Sequence, residues 1–90
     1  PRSILIDCSH GNSGKDFRRQ PLIFESLLQQ FMSGERAILG VMLESNLQEG
    51  NQKATSLSQL QYGISITDGC IGWNTTEKLL TEAARSLATL

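Results

Sequence analysis

No apolar run in this chain approaches the roughly 20 residues a helix needs to cross a bilayer, and Pro1-Arg2-Ser3 lacks the apolar stretch of a signal peptide. The expectation is a cytoplasmic protein that does not enter a membrane. Excess charge is lacking too: Lys and Arg number 8 against 9 Asp and Glu, for a formal net charge of −1, so nothing draws the chain to nucleic acid or anionic lipid. Nucleic acid is therefore not an expected partner. Its two cysteines lack CxxC spacing, which excludes a redox motif and a zinc knuckle. Cys8 and Cys70 read as small packed thiols. Asn74-Thr75-Thr76 matches a glycosylation sequon, which matters only in a secreted chain. An initiating methionine is missing and strand-like residues come almost at once, so the expectation is a piece of something longer. With 90 residues, 39% of them hydrophobic, the chain makes one small unit whose core is marginal and part of whose apolar surface is meant for a partner.

What is present centres on Ala37 to Asn51, AILGVMLESNLQEGN. Ile38, Leu39, Val41, Met42 and Leu43 show no apolar/polar alternation, the pattern of a parallel strand covered on both faces. That run stops at Glu44 and gives way to a polar, glycine-bearing loop. The same design occurs earlier, where Ile4-Leu5-Ile6 passes through Asp7-Cys8-Ser9 to His10 and Gly11. Two strands thus end in two potential metal ligands.

Between them, Gly11-Asn12-Ser13-Gly14 predicts a tight turn, Lys15 to Gln20 a polar helix-compatible segment, and Pro21 a first-turn position. Ile23/Phe24, Leu27/Leu28 and Phe31/Met32 recur four apart, placing a broad apolar stripe on one helix, and Gly34 is placed to end it in a left-handed cap. Strand, helix, strand in this order gives a right-handed parallel crossover. Ser45 to Gly63 reads as a long loop, with a short hairpin turning at Gly50-Asn51. Ile64 to Thr67 alternates briefly, Asn74 and Glu77 suggest a capping box, and Leu79/Leu80, Ala83/Ala84 and Leu87/Ala88 give the final helix a similar stripe. The chain is α/β, two strand-helix units in tandem, too few to close a barrel.

His10, Glu44 and Asp68 each follow an apolar segment beside a glycine or a turn, and an imidazole with two carboxylates suits Mn, Fe, Co or Zn. Residue types alone leave an alternative open: His10 bonded to a backbone carbonyl, Glu44 a solvated strand end and Asp68 in an Asx-turn. Lys15, Arg18 and Arg19 read either as a phosphate-facing cluster or as a solvated helix face, Trp73 favours packing, and Asp7 suits a hydrogen bond behind a ligand.

Four stretches carry a resemblance: Ile6-Asp7-Cys8-Ser9-His10-Gly11-Asn12-Ser13, Gly40-Val41-Met42-Leu43-Glu44-Ser45-Asn46, Glu49-Gly50-Asn51-Gln52, and Tyr62 through Trp73. Together they resemble the carboxyl-terminal part of the 3-deoxy-D-arabino-heptulosonate 7-phosphate (DAHP) synthase family, of the feedback-regulated bacterial and fungal type, over essentially all 90 residues. The resemblance implies the last two strand-helix units of a (β/α)8 barrel, as a fragment, with residues 1–90 an incomplete domain. It implies a homo-oligomeric enzyme of the shikimate route that condenses phosphoenolpyruvate with erythrose 4-phosphate. By motif it makes His10, Glu44 and Asp68 ligands of a divalent ion, with His10 also catalytic. The family's fourth ligand, a cysteine on an early strand, is matched by neither Cys8 nor Cys70, and its main phosphate-binding residues lie upstream. Gly69 stands where many relatives carry alanine. Alone, the chain is expected to be catalytically silent and either poorly ordered or self-associated. The competing class is a small non-catalytic α/β interaction module.

Overall fold

The computed structural model describes residues 3–90. Strand β1 (Ile4–Asp7) pairs in parallel with β2 (Ile38–Met42), Ile6 opposite Val41 and Asp7 opposite Met42. Ile4 pairs with Ile38 but Leu5 with Gly40, so Leu39 is one extra residue that bulges β2 near its start. Because the strands run the same way, both deliver their following residues, Cys8 to His10 and Leu43 to Glu44, to one end of the sheet.

Helix α1 (Gln20–Met32) lies between them, preceded by a short 3-10 turn at Phe17–Arg19 in which the Asp16 carboxylate accepts the Arg18 N–H at 3.1 Å. Pro21 sits in the first turn, where its missing N–H costs nothing. Gly34, at φ 117°, lets the chain turn back so that the Glu35 N–H reaches the Gln30 carbonyl at 3.0 Å. The buried members of the stripe are Phe24 and Leu27, which join Cys8, Ile38, Ile71, Leu79 and Ala83 in the core.

Helix α2 (Trp73–Leu87) packs on α1. It begins one residue before Asn74, with Gly72 as its cap and no side-chain capping bond, so the expected Asn74/Glu77 capping box does not form. In its place Thr76 turns its hydroxyl to the Gly72 carbonyl at 3.0 Å and to Ser45 Oγ, tying the helix start to the end of β2. Of the final stripe only Leu79 and Ala83 are buried; Leu80 is 51% exposed, because α2 meets its neighbours along a narrow seam.

Two further expectations change. No hairpin turns at Gly50-Asn51; Gly50 exchanges backbone hydrogen bonds with Cys70 at 2.8 and 3.0 Å, while Asn51 bridges to Ser65. The long loop is thereby stitched to the segment before α2, and also to itself, where the Gln48 N–H reaches the Gly63 carbonyl at 2.9 Å and the Gln52 side chain bonds the backbone of Gln61. Nor are the strands covered on both faces. Both helices lie against one side, and Leu5 and Leu39 remain 70% and 71% exposed on the sheet.

Candidate functional site

The residues after β1 fold back sharply. His10 takes φ 49° and Lys15 φ 63°, left-handed values that cost a non-glycine residue about 1 kcal/mol or more. Three bonds hold the excursion: Lys15 N–H to the His10 carbonyl at 2.6 Å, Ser13 Oγ to the same carbonyl at 3.2 Å, and Asn12 Nδ2 to the Asp7 carbonyl at 2.7 Å. The result turns the His10 imidazole over the end of the sheet.

Asp7 fixes the ring from behind. Its Oδ1 accepts the Ser9 N–H at 2.8 Å and the Ser9 hydroxyl, and its Oδ2 faces His10 Nδ1 at 2.8 Å. With Nδ1–H donated to Asp7, the neutral imidazole presents a lone pair at Nε2. That nitrogen lies 3.0 Å from Asp68 Oδ2 and 3.6 Å from Glu44 Oε1. One donor atom from each of His10, Glu44 and Asp68 falls within 4.8 Å of the other two. They border a cavity of about 310 Å³ also lined by Ser9, Ser13, Lys15, Phe17, Asn51 and Gly69.

Three carboxylates around one imidazole set the electrostatics. The hydrogen bond His10 donates to Asp7, then that to Asp68 and the charge of Glu44, raise the His10 pKa above its ordinary 6.5. Asp7 is held below the usual carboxylate value of 3.8, chiefly by the Ser9 hydroxyl, partly offset by burial. A site with this surplus of negative charge favours a bound cation. Its chemistry, one imidazole nitrogen and two carboxylate oxygens, suits a borderline-hard divalent ion. Donors about 2.0–2.2 Å from a shared ion stand about 3.0–3.6 Å apart, matching the two Nε2 separations.

Of the other candidates, Lys15 lines the cavity, whereas Arg18 lies over the Phe17 ring at 5.2 Å and Arg19 caps α1, so the three basic residues do not act as one cluster. Trp73 is half exposed at the start of α2 rather than packed. Burial pushes the Cys8 thiol to about 11 and raises that of Cys70, and neither joins the ligand group. At Gly69 a Cβ would lie 2.7 Å from Phe17 Cδ2, so an alanine there requires that ring to shift.

Sequence reasoning missed Gln20 and the positioning part of Asn51. Gln20 is fully buried, and its side-chain amide makes two bonds to the backbone of Glu44. Asn51 Nδ2 donates to the Thr67 carbonyl at 2.9 Å, next to Asp68. A glutamine ahead of a proline carries no pattern that separates it from an exposed polar residue, and Asn51 reads from the sequence only as part of a turn.

Comparison with known proteins gives a consistent result. Residues 1–81 match the family model described as the DAHP synthetase I family. The Tyr-sensitive phospho-2-dehydro-3-deoxyheptonate aldolase of Salmonella typhimurium is 49% identical over 87 residues, covering 96% of this chain and 24% of the relative. The tyrosine-inhibited aldolase of Candida albicans is 44% identical over 90 residues, again covering 96% and 24%. The solved structure of the Francisella tularensis aldolase superposes with a TM-score of 0.84 at 40% identity, covering 93% of this chain and 24% of that one. The chain thus spans about a quarter of the length of the relatives it matches.

Proposed function

The chain belongs to the DAHP synthetase I family, and we propose that it supplies the metal-binding rim of an enzyme condensing phosphoenolpyruvate with erythrose 4-phosphate to DAHP and phosphate. In this reading residues 1–90 are the last two strand-helix units of a (β/α)8 barrel, whose catalytic groups gather at the carboxyl ends of the strands. The observation that carries it is the convergence of His10, Glu44 and Asp68, three residues from three loops, on one cavity.

Those residues would hold the ion, with a further ligand from the rest of the enzyme. When bound, the ion supplies Lewis-acid polarisation of the erythrose 4-phosphate aldehyde. Asp7 keeps Nδ1 protonated so that His10 offers Nε2. Lys15 brings a positive charge to the cavity wall, suited to an anionic substrate. Phe17, seated over Gly69, forms an apolar wall that limits water on that side.

Titration with Mn(II) of a chimera in which this chain replaces the corresponding quarter of the Francisella tularensis aldolase, followed by the electron paramagnetic resonance signal of the free ion, tests the ligand set. His10→Ala, Glu44→Ala and Asp68→Ala are each expected to weaken binding at least tenfold. Binding that is unchanged in all three, or absent in a folded parent chimera, refutes the metal reading.

A further inference from the structure

Glu44 stands at the junction of β2 and the long loop, where a carboxylate would be free to swing were its backbone not held. The backbone is held by one side chain. The Gln20 amide accepts the Glu44 N–H on Oε1 at 2.7 Å and donates from Nε2 to the Glu44 carbonyl at 3.0 Å. The carbonyl has a second partner, the Ile71 N–H at 3.0 Å, so the bond to the Glu44 N–H is the one with no substitute. Gln20 is 0% exposed, the first residue of α1, and Phe24 and Leu27 of the same helix are locked in the core. A two-point clamp from a rigid helix onto a rim residue fixes both its position and the direction in which its side chain leaves the backbone.

We propose that Gln20 is a positioning residue for the metal centre: by gripping the main chain of Glu44 it holds that carboxylate opposite His10 Nε2. It touches neither ion nor substrate and acts only through Glu44. Residues that orient a ligand commonly change metal affinity about ten- to a hundredfold when removed. The inference rests on the metal reading above and adds to it the residue that shapes the site.

Mn(II) titration of the same chimera separates the two. Gln20→Met keeps the length and removes both bonds; Gln20→Asn stays polar but stops one methylene short, and serves if the first variant fails to fold. A folded variant, judged by far-UV circular dichroism in chelator, is expected to bind Mn(II) about ten- to a hundredfold more weakly, with faster hydrogen exchange at the Glu44 amide. Thr76→Val removes another buried polar contact to the same strand end and is expected to lower Tm while leaving Mn(II) affinity within about twofold. Affinity unchanged in a folded Gln20 variant, while Glu44→Ala abolishes it, overturns the positioning role alone. An equal loss in Thr76→Val also overturns it, since general loosening would then suffice. A folded parent chimera that binds no Mn(II) removes the metal reading and this inference with it.

Discussion

His10 concentrates what is testable at the scale of one residue. Its pKa is raised by Asp7 first, then Asp68 and Glu44, so without metal the folded state favours the imidazolium. A raised histidine pKa contributes stability that is fully present below the unfolded value of about 6.5 and is lost as pH rises through the folded value. The expected NMR midpoint of His10 in the metal-free chain is above 6.5, moving down in Asp7→Asn; a midpoint at or below 6.5 contradicts the geometry. Mn(II) must displace that proton, so its affinity is expected to rise with pH across the same window. Of the residues involved, the resemblance pointed to His10, Glu44 and Asp68, and Asp7 was legible as a hydrogen-bonding neighbour. Gln20 was not, because its function depends on a fold-back of 24 residues that places a helix start against a strand end. No local pattern encodes such a contact.

At the scale of the element, apolar spacing located both helices and both strands to within a residue or two, because burial of a stripe or run leaves a period in the sequence. It did not say how much of each stripe would be used. The α2 stripe includes Leu79 and Leu80, yet Leu79 is 4% and Leu80 51% exposed. Leu79→Ala is therefore expected to destabilise by about 2–5 kcal/mol, and Leu80→Ala by less than about 1 kcal/mol. Equal losses in urea unfolding would show that α2 packs on a different face. The capping box failed for a related reason: Thr76, placed by tertiary contact with Ser45 and Gly72, competes with a local cap that residue types suggested. The loop after Glu44 was legible as a loop, but its bridges to Ser65, Cys70 and Ile71 are isolated long-range pairings, and the brief alternation at 64–67 does not reveal its partner.

For the whole molecule, the accessible surface is 6416 Å², against about 5,200 Å² for a compact monomer of 9.9 kDa. The radius of gyration is 15.0 Å, where about 12 Å is usual for 90 residues. Much of the excess is apolar: Leu5 and Met42 lie on the open sheet face, Ile4 and Leu39 are exposed as well, and a two-stranded sheet has two unpaired edges. In the proposed barrel the remaining wall covers that face. On its own the chain is expected to self-associate, with light-scattering mass rising with concentration and falling in Leu5→Lys/Leu39→Lys; a monomer at every concentration contradicts this. Full catalysis calls for residues beyond the three ligands, so the most direct test restores them. This chain can replace the corresponding quarter of the Francisella tularensis aldolase, and the chimera can be assayed for DAHP formed from phosphoenolpyruvate and erythrose 4-phosphate with added Mn(II). The expected result is turnover that a chelator stops and that Glu44→Ala reduces to background. A folded chimera that binds Mn(II) without forming DAHP, or one that keeps its full rate in Glu44→Ala, contradicts the assignment.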